Sequence, residues 1–388
     1  MSAETLGAEM LREVKEEGLD DFLRSLQDLE VQSESRLGLS ALDKILDVFQ
    51  NPPITRQQQQ YRTQWSTELQ EPQQVSPLAK DKPPLVIEIT GATACSGKTQ
   101  LLYHLISISL LPVQYRDIAD FGKGYAVVLL DLSSRFSILR LYNVMYDRIS
   151  SICSTNSFTL PHADLSSLIS DSLMHLHVFR PQEASSLQAT LDSIPSYLLN
   201  QHPLHVSANR PLGLMGINDL SAFLWQDRLD GDEESHLSTT TSKEKANNNL
   251  LLQRYRSLVS SLRQIQQVFS CTILATNWGL APTTSVANRR SLRPHLPSVW
   301  NNFCTVKLII ERNRVPKFGP GISAEEAANE RQQRWGAVEQ SGFSGRINWW
   351  GSENWRDEVR EGLGSLKRGG SFQFMVTNMG IIVNDSED

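Results

Sequence analysis

Residues Leu85 to Leu110 read LVIEITGATACSGKTQLLYHLISISL, and the fold is decided in this stretch. Leu85, Val86, Ile87, Ile89 and Thr90 are apolar or β-branched and predict a buried strand, while Leu101, Leu102, Leu105, Ile106 and Ile108 recur at helical spacing. A strand therefore runs through a turn of small residues into a helix. A phosphate-binding loop needs that context. Backbone N–H groups of the turn and the free amides at the helix N-terminus cradle phosphate oxygens, Lys98 reaches the β/γ-phosphates, and the Thr99 hydroxyl ligates Mg2+. Gly97-Lys98-Thr99, preceded by Ser96, matches the end of the pattern G-x-x-x-x-G-K-[ST]. The front does not match, because five residues separate Gly91 from Gly97; either the loop is one residue longer or Ala92 stands in for the first glycine. Gly91, Ser96, Gly97, Lys98 and Thr99 are the candidate nucleotide ligands, with ATP and Mg2+ the implied cofactors. The alternative is a Ser/Gly-rich strand-to-helix turn carrying a surface lysine.

At 388 residues with 40% hydrophobic content, the chain can bury one large core or two smaller ones; a net charge of −6 does not announce nucleic acid. Apolar runs such as AVVLLDL near Ala126 have strand length, and the start MSAETLGAEM carries Glu where a signal peptide carries Lys or Arg. A soluble intracellular protein without a membrane partner is the expectation. Cys95, Cys153, Cys271 and Cys304 form no C-x-x-C, and His175, His177, His202 and His205 lack a cysteine or acidic cluster, so no structural zinc is expected.

Residues 1 to 50 read as a helical N-terminal segment: apolar positions among charges suggest two short amphipathic helices, and Leu37 to Val48 gives a further one with Ser40 as N-cap. This segment either packs as a helical pair or docks a partner. Residues 51 to 84, with the Gln57 to Gln60 run and many prolines, read as a flexible linker where proteolysis should cut first, freeing the helices from a core that begins near Leu85. Residues 85 to 388 form the main domain, with insertions at about 228 to 249 and 315 to 370.

Further strands are predicted at Tyr125 to Leu132, Leu176 to Phe179, Leu212 to Ile217, Cys271 to Thr276, Thr305 to Glu311 and Ser371 to Val376. Helices are predicted at Phe136 to Ile149, Ala184 to Leu199 and Asn249 to Val268. The alternation gives an α/β fold, a mainly parallel sheet with helices on both faces, of the P-loop kind. Ligands in such folds lie at the carboxyl ends of the strands. Two residues past Asp131, where RecA-type ATPases carry a water-activating glutamate, stands Ser133, too weak a base to polarise water unaided. The metal-site carboxylate after the fourth strand falls on Asn218 or Asp219. Trp278 stands where a γ-phosphate-sensing glutamine is found.

LLYHLISISLLP, VVLLDLSSRFSILRL, NDLSAFLWQDRLDGDEES and the RR-x-x-RP pair with its following tryptophan (Arg289, Arg290, Arg293, Pro294, Trp300) resemble the recombinase paralogues of the RecA-like family. The resemblance covers roughly Leu37 to Arg312 outside the glutamine-rich linker, and Asp219 to Arg228 is its most specific part. In that family's register the metal-site position falls on Asn218. The resemblance implies a RecA-like fold and a nuclear protein of homologous recombination. It also implies work with other recombinase paralogues, notably paralogue D, to load or stabilise recombinase filaments on single-stranded DNA.

Two loops bear on direct DNA contact. Asp227 to Glu234 is acidic and would repel phosphate; Gly279 to Pro297 carries Arg289, Arg290, Arg293 and His295, which either contact the DNA backbone or pair with the acidic loop. Ser235 to Asn249 is polar enough to be disordered. Trp225 and Trp278 read as core or interface residues. The late insertion carries a charged helix, Ser323 to Trp335, and a patch of Trp335, Phe343, Trp349, Trp350 and Trp355, either a partner surface or local packing. The expectation is a mediator with poor or no hydrolysis and no catalytic residue of its own. The alternative is an active DNA-dependent ATPase; a nucleotide kinase would need an arginine-rich lid that the chain lacks.

Overall fold

A computed structural model describes residues 37–52, 85–91, 93–116, 118, 121–199, 205–229, 243–283, 291–315 and 321–384. The expected helices before Leu37, the linker from residue 53 to 84, Ala92, most of the acidic loop and the pair Arg289 and Arg290 lie outside these residues.

The elements in order are α1 (Ser40–Gln50), β1 (Val86–Gly91), α2 (Lys98–Leu110), β2 (Ala126–Asp131), α3 (Ile138–Thr155), α4 (His162–Leu173), β3 (Leu176–Phe179), α5 (Ala184–Leu199) and β4 (Leu212–Asn218). Then come α6 (Lys243–Phe269), β5 (Thr272–Thr283), β6 (Ser291–Pro294), α7 (Ser298–Phe303), β7 (Val306–Arg312), α8 (Ala324–Asn329), α9 (Arg331–Ser341), β8 (Phe343–Ile347), α10 (Asp357–Ser365), β9 (Phe372–Val376) and β10 (Ile381–Asn384). The sheet order is β10-β9-β8-β7-β1-β5-β4-β2-β3, with β6 paired to β5 alone. From β7 to β3 every pairing is parallel, and from β7 to β10 every pairing is antiparallel. The fold is α/β with a mostly parallel central sheet, as a RecA-like fold requires.

Parallel strands buried on both faces are mostly apolar, and β1 and β2 are buried at every residue, with Glu88 and Asp131 their buried charged side chains. Alternation splits their side chains between two cores. Ile87, Ile89, Val127 and Leu129 join α2, α3 and α4 on one face, and Val86, Val128 and Leu130 join α5, α6 and α7 on the other. Helix α2 is buried from Leu101 to Leu110, so its apolar residues face core all round rather than along one stripe.

Several expectations change. Helix α1 does not stand apart from the main domain: Leu42, Ile45 and Leu46 are buried in the same cluster as Ile87 and Phe374. Its first turn is held by Asp43, which accepts the Leu37 and Gly38 amides at 2.9 and 3.1 Å, and not by Ser40 as a cap. The late insertion is no excursion between neighbouring strands. Phe343–Ile347 is itself a strand, pairing with β7 on one side and β9 on the other. Only burial of a pleated face distinguishes so polar a segment (FSGRI) from a loop. The charged helix is two helices, α8 and α9, with no buried residue. Helix α6 starts at Lys243, inside the stretch expected to be disordered, and Asp227 lies in a helical turn, itself buried and paired with Arg254 while its neighbours Trp225, Gln226, Arg228 and Leu229 are exposed.

Candidate functional site

The turn between β1 and α2 closes on itself through small residues. A Cβ on Gly91 would come within 2.4 Å of Ser96 Oγ, and Ser96 is buried, so the loop folds back over the strand end only with glycine there. Gly97, with φ of 94°, caps α2, and a Cβ there would meet the Phe343 ring at 2.9 Å. Phe343 and Phe374 stack at 5.3 Å, so the antiparallel strands supply an aromatic wall beside the loop that sequence reading did not connect with it.

Helix α2 begins at Lys98 and presents unbonded amides to this turn, the arrangement that receives anions. The Lys98 ammonium bonds Ser96 Oγ at 3.2 Å and lies 4.4 Å from the centre of the Trp278 ring. Burial lowers its pKa, opposed by the negative charge of Asp219 and by Cys95. Trp278 is thus not fully buried in the core; it is half-buried against the loop's lysine. Trp225, in contrast, is 61% exposed, with Arg228 5.0 Å from its ring centre.

The strand ends resolve the register left open by the sequence. Asn218 is the last residue of β4 and pairs with Asp131, the last of β2, while Asp219 lies beyond the strand with φ of 63°. Asn218 Nδ2 donates to Asp131 Oδ1 at 2.9 Å and to Ser133 Oγ at 3.0 Å, and Asn218 Oδ1 accepts the Thr276 hydroxyl at 3.3 Å. Asp131, fully buried, further accepts the Phe136 amide at 2.9 Å, the Ser133 hydroxyl at 3.3 Å and the Arg135 amide at 3.4 Å, with Arg180 Nε at 3.5 Å. Its carboxylate organises the turn after β2, and Ser133 is held in the same network.

The cradle fits a phosphate: a glycine turn, free helix amides and a lysine converge. For Mg2+ the donors would be the Thr99 hydroxyl and, beyond the strand end, Asp219, whose Oδ1 accepts the Ser221 hydroxyl at 2.8 Å. A neutral amide at Asn218 leaves the strand-end position without charge.

The two candidate DNA loops are described in part. Part of the expected basic loop is strand, since the end of β5 pairs antiparallel with β6, Gly279 opposite Pro294 and Thr283 opposite Ser291, and Arg293 on β6 is exposed with its guanidinium 5.9 Å from the Trp350 ring centre. Trp300 is fully buried in the core against Phe303. In the aromatic insertion, Trp355 packs edge-on against Phe49 of α1 and tilts against Trp349, which is local packing, while Trp335 is 64% exposed. A separate cavity of about 380 Å³ opens between α5, α6 and the turn from Leu220 to Asp227.

No family model matches the chain. Curated relatives do. The chain is 25% identical over 270 residues to the DNA repair protein XRCC2 homolog of Arabidopsis thaliana, covering 59% of this chain and 69% of that one. It is 31% identical over 146 residues to the DNA repair protein XRCC2 of Mus musculus, covering 38% and 44%. The chain is thus similar to proteins named XRCC2. Its mostly parallel sheet agrees with the resemblance carried by the motifs above. No helix among the described residues is long and apolar enough to cross a membrane, and no group of three or more His, Cys, Asp or Glu among them could hold a metal ion.

Proposed function

We propose that this protein is a homologous-recombination DNA repair factor: a nuclear recombinase paralogue that binds ATP with Mg2+ but turns it over poorly, and acts in a complex. Its partners are other recombinase paralogues, of the D type first, and the complex promotes recombinase filament assembly on single-stranded DNA. Both relatives carry DNA repair in their names, which supports the repair role. The observation that carries poor hydrolysis is the locked trio of Asn218, Asp131 and Ser133, where a hydrolytic site needs a free carboxylate and a base. Gly91, Ser96, Gly97, Lys98 and Thr99 hold the phosphates in this reading, the last also meeting the metal, and Arg289, Arg290 and Arg293 meet the DNA backbone.

The second reading, an active DNA-dependent ATPase that remodels filaments, draws on Asp219, whose charge acts on Lys98 and could hold the metal through water. Phosphate release by purified protein separates the two. Turnover stays far below that of an active recombinase with or without single-stranded DNA; DNA-stimulated release abolished by Lys98→Ala would overturn the mediator reading.

A further inference from the structure

We propose that Trp278 is a positioning residue of the phosphate loop: its indole face holds the Lys98 ammonium back against the loop, and a nucleoside triphosphate must draw the lysine off that face to bind. The inference rests on the nucleotide reading of the loop and adds to it the residue that sets the affinity.

The ammonium has two neighbours that compete with a phosphate, the Trp278 ring at 4.4 Å and Ser96 Oγ at 3.2 Å. The backbone that carries Trp278 is held in place. In the β1–β5 register Trp278 stands directly beside Gly91, so the ring rises from the strand next to the start of the loop. The Trp278 amide donates to Asn277 Oδ1 at 2.7 Å, and Asn277 Nδ2 donates to Glu88 Oε1 at 2.9 Å. The Thr90 hydroxyl donates to the same Glu88 oxygen at 3.3 Å. Glu88, Thr90 and Asn277 are all fully buried, so the chain from β1 to Trp278 is fixed by the sheet interior. A glutamine or small residue at this position would leave the ammonium free to meet phosphate oxygens.

A cation over an indole face in a partly desolvated setting is held by an interaction whose loss changes an equilibrium about tenfold. Binding of a fluorescent ATP analogue in the presence of Mg2+ tests this on the full chain. Trp278→Ala is expected to tighten binding about tenfold, while Trp278→Phe, which keeps an aromatic face, stays within about threefold of wild type. Tryptophan emission should change when wild type is saturated with MgATP, and that change should be missing in Trp278→Phe. Unchanged or weaker binding by a folded Trp278→Ala overturns the proposal. If that variant does not fold, emission that responds equally in wild type and Trp278→Phe overturns it instead. Failure of wild type and both variants to bind at all overturns the nucleotide reading together with the proposal, whereas wild-type binding lost in Lys98→Ala keeps that reading whatever Trp278 does.

Discussion

His104 and His177 show how much single buried residues tie this molecule to neutral pH. Both are held at about 4, His104 first by burial and then by Arg148, His177 first by burial and then by His205 and His175. His177 gives its ring nitrogens to the Tyr197 hydroxyl at 3.0 Å and the Ser207 hydroxyl at 2.9 Å, and His104 sits inside α2. In the unfolded chain each titrates near 6.5, so below that pH the unfolded state takes up protons that the folded state refuses. Stability therefore holds above about pH 6.5 and falls as pH drops toward 4, by on the order of 2 kcal/mol per histidine at pH 5. Urea midpoints at pH 7.5 and 5 check this: His104→Gln or His177→Gln should reduce the pH dependence, and an unaltered slope in both would show that other groups carry it.

Among the elements, two attachments matter more than their length suggests. Helix α1 buries Leu42, Ile45 and Leu46 in the main core and meets Trp355 through Phe49. A cut anywhere between α1 and β1 should leave the α1 fragment bound through size-exclusion chromatography, and a chain starting at Leu85 should be insoluble where one starting at Leu37 is folded. Elution of a free α1 fragment would show that its apolar face contributes little. At the other end of the chain, Arg140 on α3 reaches the turn between β9 and β10, donating to Asn378 O at 2.5 Å and Thr377 O at 2.9 Å, while its Nε donates to Gln100 Oε1 at 2.9 Å. One guanidinium thus fastens the C-terminal hairpin to the helix that follows the phosphate loop. Hydrogen bonds to a charged group contribute about 1.5–3 kcal/mol each when neither partner can turn to water, and this site is half-exposed, so Arg140→Ala should cost about 2 kcal/mol. Faster amide exchange from Thr377 to Asn384 would be its signature, and unchanged exchange there would refute the clamp.

For the whole molecule, the sheet divides the labour between its halves. The parallel block carries the loop, the strand-end network and the basic hairpin at its carboxyl edge, while the antiparallel strands β8, β9 and β10 wall the loop with Phe343 and Phe374 and tie down α1, α2 and α3. A molecule that serves as a docking scaffold should tolerate loss of nucleotide chemistry and not loss of its core. Lys98→Ala is expected to weaken nucleotide binding while keeping partner binding and most recombination activity. Leu105→Asp, which places an unpaired charge at a fully buried position of α2, should cost more than about 4 kcal/mol and abolish both. Survival of cells after crosslinking or irradiation distinguishes these outcomes at matched protein levels; complete loss with both variants would make nucleotide chemistry essential.

The sequence by itself determined the parallel half of the fold. β1, β2, β3, β4, β5 and β7 and the helices α2, α3, α5 and α6 are written in apolar runs and helical spacing, because strands covered on both faces are mostly apolar and so announce themselves, whereas serines and aspartates interrupt the apolar positions of α4 and hide it. It also determined the glycine turn and the lysine, since backbone amides and a cation are the chemistry itself. The antiparallel half was legible only in part. β9 shows as the predicted strand Ser371 to Val376, but FSGRI is polar and IIVN short, and they become strands only because β7 offers an open edge to β8 and β9 offers one to β10. The sequence left the metal position between Asn218 and Asp219, and only the β2–β4 register, a contact between residues 87 apart in the chain, decided that Asn218 faces Asp131. Trp278 over Lys98 is of the same kind: local sequence names both residues, but the distance between them is set by the parallel pairing of β1 with β5, which no local pattern encodes.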